Sequence, residues 1–567
     1  MTVSQPVPGQ APVAIGSPYW PEGEPTDLVL PPGTMVDALR RAALKSPVKP
    51  AICFYGRVID YRALDALVED VAAHLRYDLG VAKGDRVLLV LQNSVQFIIA
   101  FQAILRADAV VISANPMYKT AELAHLVEET ECRVAIVGAD VALQIAPLVG
   151  NGLASVVVAD YADFLPENVG YPLPAVLTTG RAERPADPAY LPWPGHRADR
   201  TPVVSTAGRD DLALLIYTSG TTGKPKACMH THSALLFTAQ AQVRWYRVDD
   251  DSVVAAFQPL FHVAGMQHSM NTPIVAGVPI VIMTRWDRDV ALALIERHGI
   301  TYLNAPPTMV VDLLSSEEIK PDSLNSLRLV TGGGAAMPDA VGAELLRRTG
   351  LPYIEAYGMT EAMSPTHINP LDHPKRKCGG IPIHNTEAGI IDPATLAELG
   401  PGEVGEIVIS GPQIFLGYWR RPDADKDSFV TLRGKRFYRS GDLGWRDADN
   451  YYFIGDRLKR RINASGYKVW PAEVEAMLYE HPAILECAIV STPHDYRGED
   501  VKAFVVLKES APDGLSEADI VAWARDKMAV YKAPRTVVFS GPLPRTASNK
   551  IDWRILQERE WEKAARA

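Results

Sequence analysis

From Tyr61 onward the spacing of apolar residues switches repeatedly between helical and strand periods, and this constrains the fold more than any other property of the chain. Tyr61–Leu79 carries helical spacing, Arg86–Leu91 is a short continuous apolar run, Val95–Arg106 is helical again, and Ala109–Ser113 returns to strand. Ala121–Glu129 followed by Arg133–Val137 repeats the cycle. Such alternation predicts an α/β protein whose sheets are mainly parallel and covered by helices on both faces. A chain of 567 residues exceeds what one hydrophobic core supports, so a second domain is expected. Its start is placed at Lys459, after which Pro471–Tyr479 reads as a helix, Ala488–Ser491 and Ala503–Leu507 as strands, and Ser516–Met528 as a helix with Ser516 as N-cap. The expected organisation is a Pro/Gly-rich surface arm over 1–32, a large domain over 33–458 with a connecting loop at 165–208, and a small α+β domain over 459–567.

Charge narrows the function classes. The net charge of −10 argues against a general nucleic-acid binder. Residues 459–567 hold 17 Lys/Arg against 16 Asp/Glu, a balance of +1, which leaves −11 on 1–458. Neither Val87–Ile112 nor Pro273–Met283 can cross a bilayer, because the first is interrupted by polar residues and the second is too short. No transmembrane segment is expected, while peripheral membrane contact stays open. Five widely spaced cysteines without a C-x-x-C pair fit reduced thiols, and no secretory signal is evident at Met1–Gly16, so a cytoplasmic location is expected.

Chemistry concentrates at Tyr217–Lys226. The apolar run Leu212–Tyr217 ends in Thr218, Ser219, Gly220, Thr221, Thr222, Gly223, Lys224, Pro225 and Lys226. Glycines let backbone N–H groups converge on an anion, the four hydroxyls add donors, and Lys224 and Lys226 add positive charge. This is a polyphosphate cradle in composition, though a solvent-exposed Ser/Thr/Gly turn has the same composition. It is not a Walker A loop, since Thr218 and Pro225 stand where that motif needs Gly and Ser/Thr.

Further strings stand in order along the chain: Gln258–His262, Thr331–Pro338, Tyr357–Glu361, Tyr438–Asp442, Asp456–Lys459 and Leu543–Lys550. Together with the loop they resemble the motifs of the adenylate-forming superfamily, which includes acyl-CoA synthetases, peptide-synthetase adenylation domains and luciferases. The resemblance runs from about Gly33 to Leu556. It implies an enzyme that condenses a carboxylic acid with ATP to an acyl adenylate and then transfers the acyl group to CoA, with Mg2+ as cofactor. Both partners of the first step are anions, so positioning and charge neutralisation must dominate catalysis.

The resemblance also distributes roles. Lys550 is implied to bridge carboxylate and α-phosphate, although Asn549 replaces the glycine usual before it. Glu361 corresponds to the Mg2+-associated carboxylate, and Thr360 to a phosphate contact. Gly332, Gly333, Gly334 and Tyr357 are implied to line the adenine slot, Asp442 to hold the ribose, and Arg457 to lie beside the nucleotide. Lys459 falls at the hinge about which the small domain turns between the half-reactions. Ser465, Gly466 and Tyr467 then come to the CoA side. Arg460 and Arg461 could meet CoA phosphates or face solvent.

His262, Gly332, Pro307 and Met337 are the implied acyl-pocket residues, with His262 a wall or gate residue and not a base. Cys228, His230 and His232 lack the further ligands a zinc site needs. The segments Val263–Ser269, Ala305–Val310 and Gly332–Met337 are small or apolar apart from Gln267, His268, Ser269 and Thr308, which favours an apolar acid. The string Asn463–Pro471 resembles bacterial medium- and long-chain fatty-acid–CoA ligases. An aryl or alicyclic acid with another acceptor, a non-catalytic binding protein on the same fold, and a homodimeric assembly stay open.

Overall fold

The computed structural model describes residues 16–178, 185–196, 201–218, 225–457, 460, 462–464, 467–469, 471–494, 498–546 and 551–566. The predicted alternation is present, and its boundaries follow local chemistry. The Asp60 side chain accepts from Ala63 N and starts the helix Tyr61–Ala73, which runs on through one π turn at His74–Asp78. Ser94 caps Val95–Arg106 in the same way, accepting from Phe97 N. Strands Arg86–Val90, Val110–Ser113 and Val134–Gly138 pair in parallel.

These strands belong to a seven-stranded sheet in the order Tyr190–Pro192, Ser155–Ala159, Val134–Gly138, Arg86–Val90, Val110–Ser113, Leu212–Tyr217, Ala227–Thr231. Only the last pair is antiparallel. A nine-stranded sheet has the order Ile381–Pro382, Ser364–Ile368, Tyr353–Met359, Leu329–Gly333, Tyr302–Asn304, Val254–Ala256, Ile280–Ile282, Pro50–Phe54, Arg57–Asp60. It is parallel through its centre and antiparallel at both rims.

Side-chain alternation shows how the layers join. Val87 and Leu89 share one hydrophobic cluster with Ala255 and Ile280 of the second sheet, whereas Leu88 and Val90 face Leu123 and Leu126 on the outer side. Every residue of Val95–Arg106 is buried in that inner layer. A helix apolar on all sides is what such a position requires, and each fully buried Ile or Phe there contributes about 1.5–3 kcal/mol. Gln96, Gln102 and Arg106 are its polar members, and Arg106 alone of them carries a charge. It is 1% exposed and ion-paired with Asp65 and Glu69.

Three features depart from the expectations. A third, five-stranded sheet is wholly antiparallel, built from Glu387–Ile391, Gly405–Ser410, Phe429–Leu432, Lys435–Arg446 and Tyr452–Arg457. Antiparallel neighbours need no crossover helix, and Phe429–Leu432 passes into Lys435–Arg446 through a tight turn. The stretch 165–208 is not only a connecting loop. It supplies the helix Ala175–Thr178 and the rim strand Tyr190–Pro192, and Asp108 accepts from the backbone of Thr206 and Ala207. The arm is also more than a surface strip. Trp20 packs edge-on against Trp245 and His384, and Tyr19 against Tyr451, because large aromatic rings gain by leaving water.

The C-terminal part forms its own mixed sheet, in which Ile484–His494 and Gly498–Leu507 are antiparallel and Thr536–Phe539 adds in parallel. Helices Pro471–Leu478 and Glu517–Lys527 cover it, the second started by a capping box between Ser516 and Asp519. Val474, Leu478, Ile489, Val505, Ile520 and Val537 share its hydrophobic cluster.

Candidate active site

The phosphate-type loop is the tip of a hairpin. Leu212–Tyr217 and Ala227–Thr231 are antiparallel with Tyr217 opposite Ala227, and Thr218 N donates to Lys226 O at 2.9 Å. A P-loop leads from strand into helix; this loop returns directly as strand, so the structure separates it from Walker A as the sequence did. The stem is tied down by Tyr217, whose hydroxyl donates to Glu129 at 2.9 Å. Ser219, Gly220, Thr221, Thr222, Gly223 and Lys224 lie outside the described residues.

Thr360 and Glu361 occupy a 3-10 turn at the end of strand Tyr353–Met359. His230, in the strand that carries the returning side of the loop, donates from Nε2 to Thr360 O at 2.8 Å. Burial lowers the His230 pKa to about 4, so it is a neutral strut. The Glu361 carboxylate accepts from the Tyr418 hydroxyl at 2.9 Å. After the turn, Met363 and Ser364 both adopt positive φ, which doubles the chain back into the neighbouring strand.

Tyr357 lies on the same strand. Its hydroxyl donates to Asp442 Oδ2 at 2.7 Å, and both residues are buried. Asp442 stands opposite Arg457 in the antiparallel register. The turn that delivers it is held by Ser440 Oγ donating to Ile407 O and by Gly441 N donating to Glu406. The Arg457 and Tyr467 side chains, and Lys459, Ser465, Gly466 and Lys550, lie outside the described residues.

Tyr357 also lines a cavity of about 410 Å³. Its lining includes Gly332, Gly333, Gly334 and Tyr357, and also the apolar group Phe257, Phe261, Val263, Ala264, Trp286 and Met309. His262 lines the wall and also caps the short helix Val263–Met266. Neighbouring backbone by itself requires two of these glycines. A Cβ on Gly332 would sit 2.3 Å from Ala305 O, and one on Gly333 2.2 Å from Ala356 O, so side chains are excluded there.

Pro307 and Met337 do not line this cavity; Pro306 and Met309 do. Pro307 opens a helix, where its missing N–H costs nothing, and Met337 is buried with its N–H on Glu355. Arg460 does not face solvent. Its guanidinium is paired with Glu475, donates to Ile489 O at 3.1 Å and lies over the Trp553 ring.

One wall residue escaped sequence reasoning, and another, His268, was named only as a polar member of the segment Val263–Ser269. Asn93 donates to Gln258 O at 2.8 Å and accepts from Leu260 N, fixing the segment that leads into His262. Its place just past the carboxyl end of strand Arg86–Val90 was the available signal. His268 bonds from Nδ1 to the Tyr302 hydroxyl at 2.9 Å, and burial lowers its pKa to about 3, so it presents a neutral ring to the cavity.

The donor set suits Mg2+. Glu361 is a single carboxylate whose second oxygen has no hydrogen-bond partner among the described residues, and no group of three acidic, His or Cys side chains forms a cage there. A small hard cation that keeps water and phosphate oxygens needs no more from protein.

Residues 39–419 match the family model of the AMP-binding enzymes, and residues 473–550 that of the AMP-binding enzyme C-terminal domain. The chain belongs to the AMP-binding enzyme family. A long-chain-fatty-acid–CoA ligase of Bacillus subtilis is 34% identical over 555 residues, covering 96% of this chain and 97% of that protein. A feruloyl-CoA synthase of Amycolatopsis is 32% identical, covering 90% and 96%. The solved structure of ATP-bound MatB from Rhodopseudomonas palustris superposes with a TM-score of 0.79 at 28% identity, covering 92% and 98%. The chain is therefore an adenylate-forming acid–CoA ligase, an enzyme of ATP, a carboxylic acid and CoA for which Mg2+ is the typical cation. Among the described residues, no helix is long and apolar enough to cross a membrane.

Proposed function

We propose that this enzyme activates an apolar acid, a medium- or long-chain fatty acid, in a large domain over 33–458 and completes the reaction with a mobile small domain over 459–567. The observation that carries the substrate class is the apolar part of the cavity lining, where Phe257, Phe261, Val263, Ala264, Trp286 and Met309 offer an apolar acyl chain a surface to pack on. The similarity to the Bacillus ligase, which covers nearly the whole chain, supports the same class.

In the first half-reaction an oxygen of the acid attacks the α-phosphorus of ATP. The bond to pyrophosphate breaks and acyl-AMP remains. The loop Thr218–Lys226 holds the polyphosphate, Asp442 and Arg457 the ribose side, and Gly332, Gly333, Gly334 and Tyr357 the adenine. Lys550 neutralises the two approaching anions. Thr360 orients a phosphate oxygen, and Glu361 holds Mg2+, which when bound offsets phosphate charge. In the second half-reaction rotation about Lys459 brings Ser465, Gly466 and Tyr467 to the site. The CoA sulfur attacks the acyl carbon, AMP leaves with the bonding pair, and the thiol proton passes to solvent.

A second reading, an aryl acid, is favoured by the feruloyl-CoA synthase relative and by His268, which adds a neutral polar ring to a lining that also holds Asn93, Gln258, Thr284, Arg285 and Asn304. ATP–pyrophosphate exchange over a panel of fatty and aryl acids, repeated with CoA and read as thioester, separates the two. Exchange with aryl acids alone overturns the fatty-acid reading, and exchange with none overturns both. A cytoplasmic site of action fits the five cysteines, all buried and unpaired.

A further inference from the structure

One short segment, Phe415–Trp419, touches both the phosphate hairpin and the carboxylate turn. On one side it pairs with the hairpin's returning strand: Leu416 N donates to Met229 O at 2.9 Å, Met229 N to Gly417 O at 3.0 Å, and Trp419 N to Ala227 O at 2.8 Å. On the other, Phe415 N donates to Glu361 O at 2.8 Å. Tyr418 sits at the centre of this splice, 7% exposed, its N–H on Asp425 and its ring edge-on to Phe415 at 4.8 Å.

The side chain repeats the bridging in functional groups. The Tyr418 hydroxyl donates to Glu361 Oε1 at 2.9 Å, while Lys226 Nζ lies 4.7 Å from the centre of the ring. One residue thus engages the carboxylate through its edge and the ammonium through its face. Burial and the adjacent Glu361 push the phenol pKa up, so the hydroxyl remains a donor at every physiological pH.

We propose that Tyr418 is a positioning residue that sets the distance between Lys226 and Glu361, and so fits the cation site to the polyphosphate site. The assignment rests on the adenylation reading of those two residues. By tethering one carboxylate oxygen, the hydroxyl aims the other at the metal; by covering Lys226, the ring limits the rotamers of a side chain that is otherwise long and mobile.

The two contacts can be cut separately. Tyr418→Phe keeps the ring and loses the donor; Tyr418→Leu loses both. Pyrophosphate exchange is measured while Mg2+ is titrated at fixed ATP, and then while ATP is varied at saturating Mg2+. For Tyr418→Phe the expected result is an Mg2+ midpoint raised about three- to tenfold, the worth of one hydrogen bond, with the ATP KM at saturating Mg2+ within about twofold of the parent. For Tyr418→Leu the ATP KM also rises, by about two- to fivefold, the worth of one cation–π contact. An unchanged Mg2+ midpoint in Tyr418→Phe overturns the proposal. So does loss of the folded circular dichroism spectrum in that variant, which would make the hydroxyl a prop of the fold. A parent enzyme that exchanges no pyrophosphate with any acid would instead overturn the adenylation reading on which the proposal rests.

Discussion

The Tyr357 hydroxyl donates to the Asp442 carboxylate across 2.7 Å, joining the end of the nine-stranded sheet to the antiparallel sheet over a sequence separation of 85 residues. Each partner is under one-tenth exposed. The contact orients an acid that the proposed reaction uses to hold the ribose. Asp442→Ala is therefore expected to lower kcat/KM for ATP about 10- to 100-fold, the scale of losing one or two hydrogen bonds to a charged group. Tyr357→Phe should cost less, about threefold to tenfold. Pyrophosphate exchange at varied ATP is the measurement, and equal losses in the two variants would contradict the assigned roles.

Lys550→Ala should reduce adenylation by about 100-fold or more while sparing thioester formation from supplied acyl-AMP. Quenched-flow assays of each half-reaction check this. Equal damage to both halves would count against alternating use of the small domain.

Lys459→Pro fixes one backbone torsion at the proposed pivot. Adenylation should survive, and the CoA-dependent half-reaction should fall by about tenfold or more. Normal overall turnover would place the pivot elsewhere.

Arg106 holds a charge in the inner layer, paired with Asp65 and Glu69, which are 31% and 27% exposed at the side chain. Its loss strands two carboxylates that water reaches in part. Arg106→Met is expected to destabilise by about 3 kcal/mol, the low end of the range for breaking a buried pair. The urea midpoint reports it.

Acid should weaken the fold through buried histidines. Burial lowers the pKa of His230 and His232 to about 4 and of His268 and His367 to about 3, below the ordinary 6.5. Each stays neutral in the folded chain while the unfolded chain takes up its proton below about pH 6.5. Unfolded chains then bind more protons, so stability is full above about pH 6.5 and falls as pH drops toward about 4. The melting temperature should decline across that window. His367→Gln should flatten the decline by one group's share, and an unchanged slope would show that His367 does not contribute.

The sequence was most informative where a local rule acts alone. Helix Val95–Arg106 and strand Leu212–Tyr217 fall at the bounds their periodicity predicts, since burial on all sides or at a sheet centre leaves a continuous apolar signature. The antiparallel sheet of residues 387–457 was not anticipated, because antiparallel neighbours need no crossover helix and so lack a regular strand–helix rhythm. Within the site, Tyr357, Gly332 and His262 line one cavity and Asp442 bonds to Tyr357, although their motifs lie far apart in the chain. Pro307 and Met337 fall beside that lining instead of in it, a shift of a residue or two that motif position cannot resolve. Asn93 and Tyr418 were missed as site residues, and the partner of His268 was not legible, for another reason. Each acts through a partner far away in sequence, and only tertiary structure brings the pair together.

The glycine pair at Gly332 and Gly333 has a wider consequence. Because main chain would lie 2.2–2.3 Å from a Cβ at either position, the part of the cavity proposed to hold the nucleotide is fixed by backbone geometry that no single substitution can reshape gently. The apolar part of the lining is built from interchangeable side chains such as Val263, Ala264 and Met309. Acid preference can therefore drift by point mutation while ATP handling stays constant, so one scaffold can diversify in diet without relearning its chemistry.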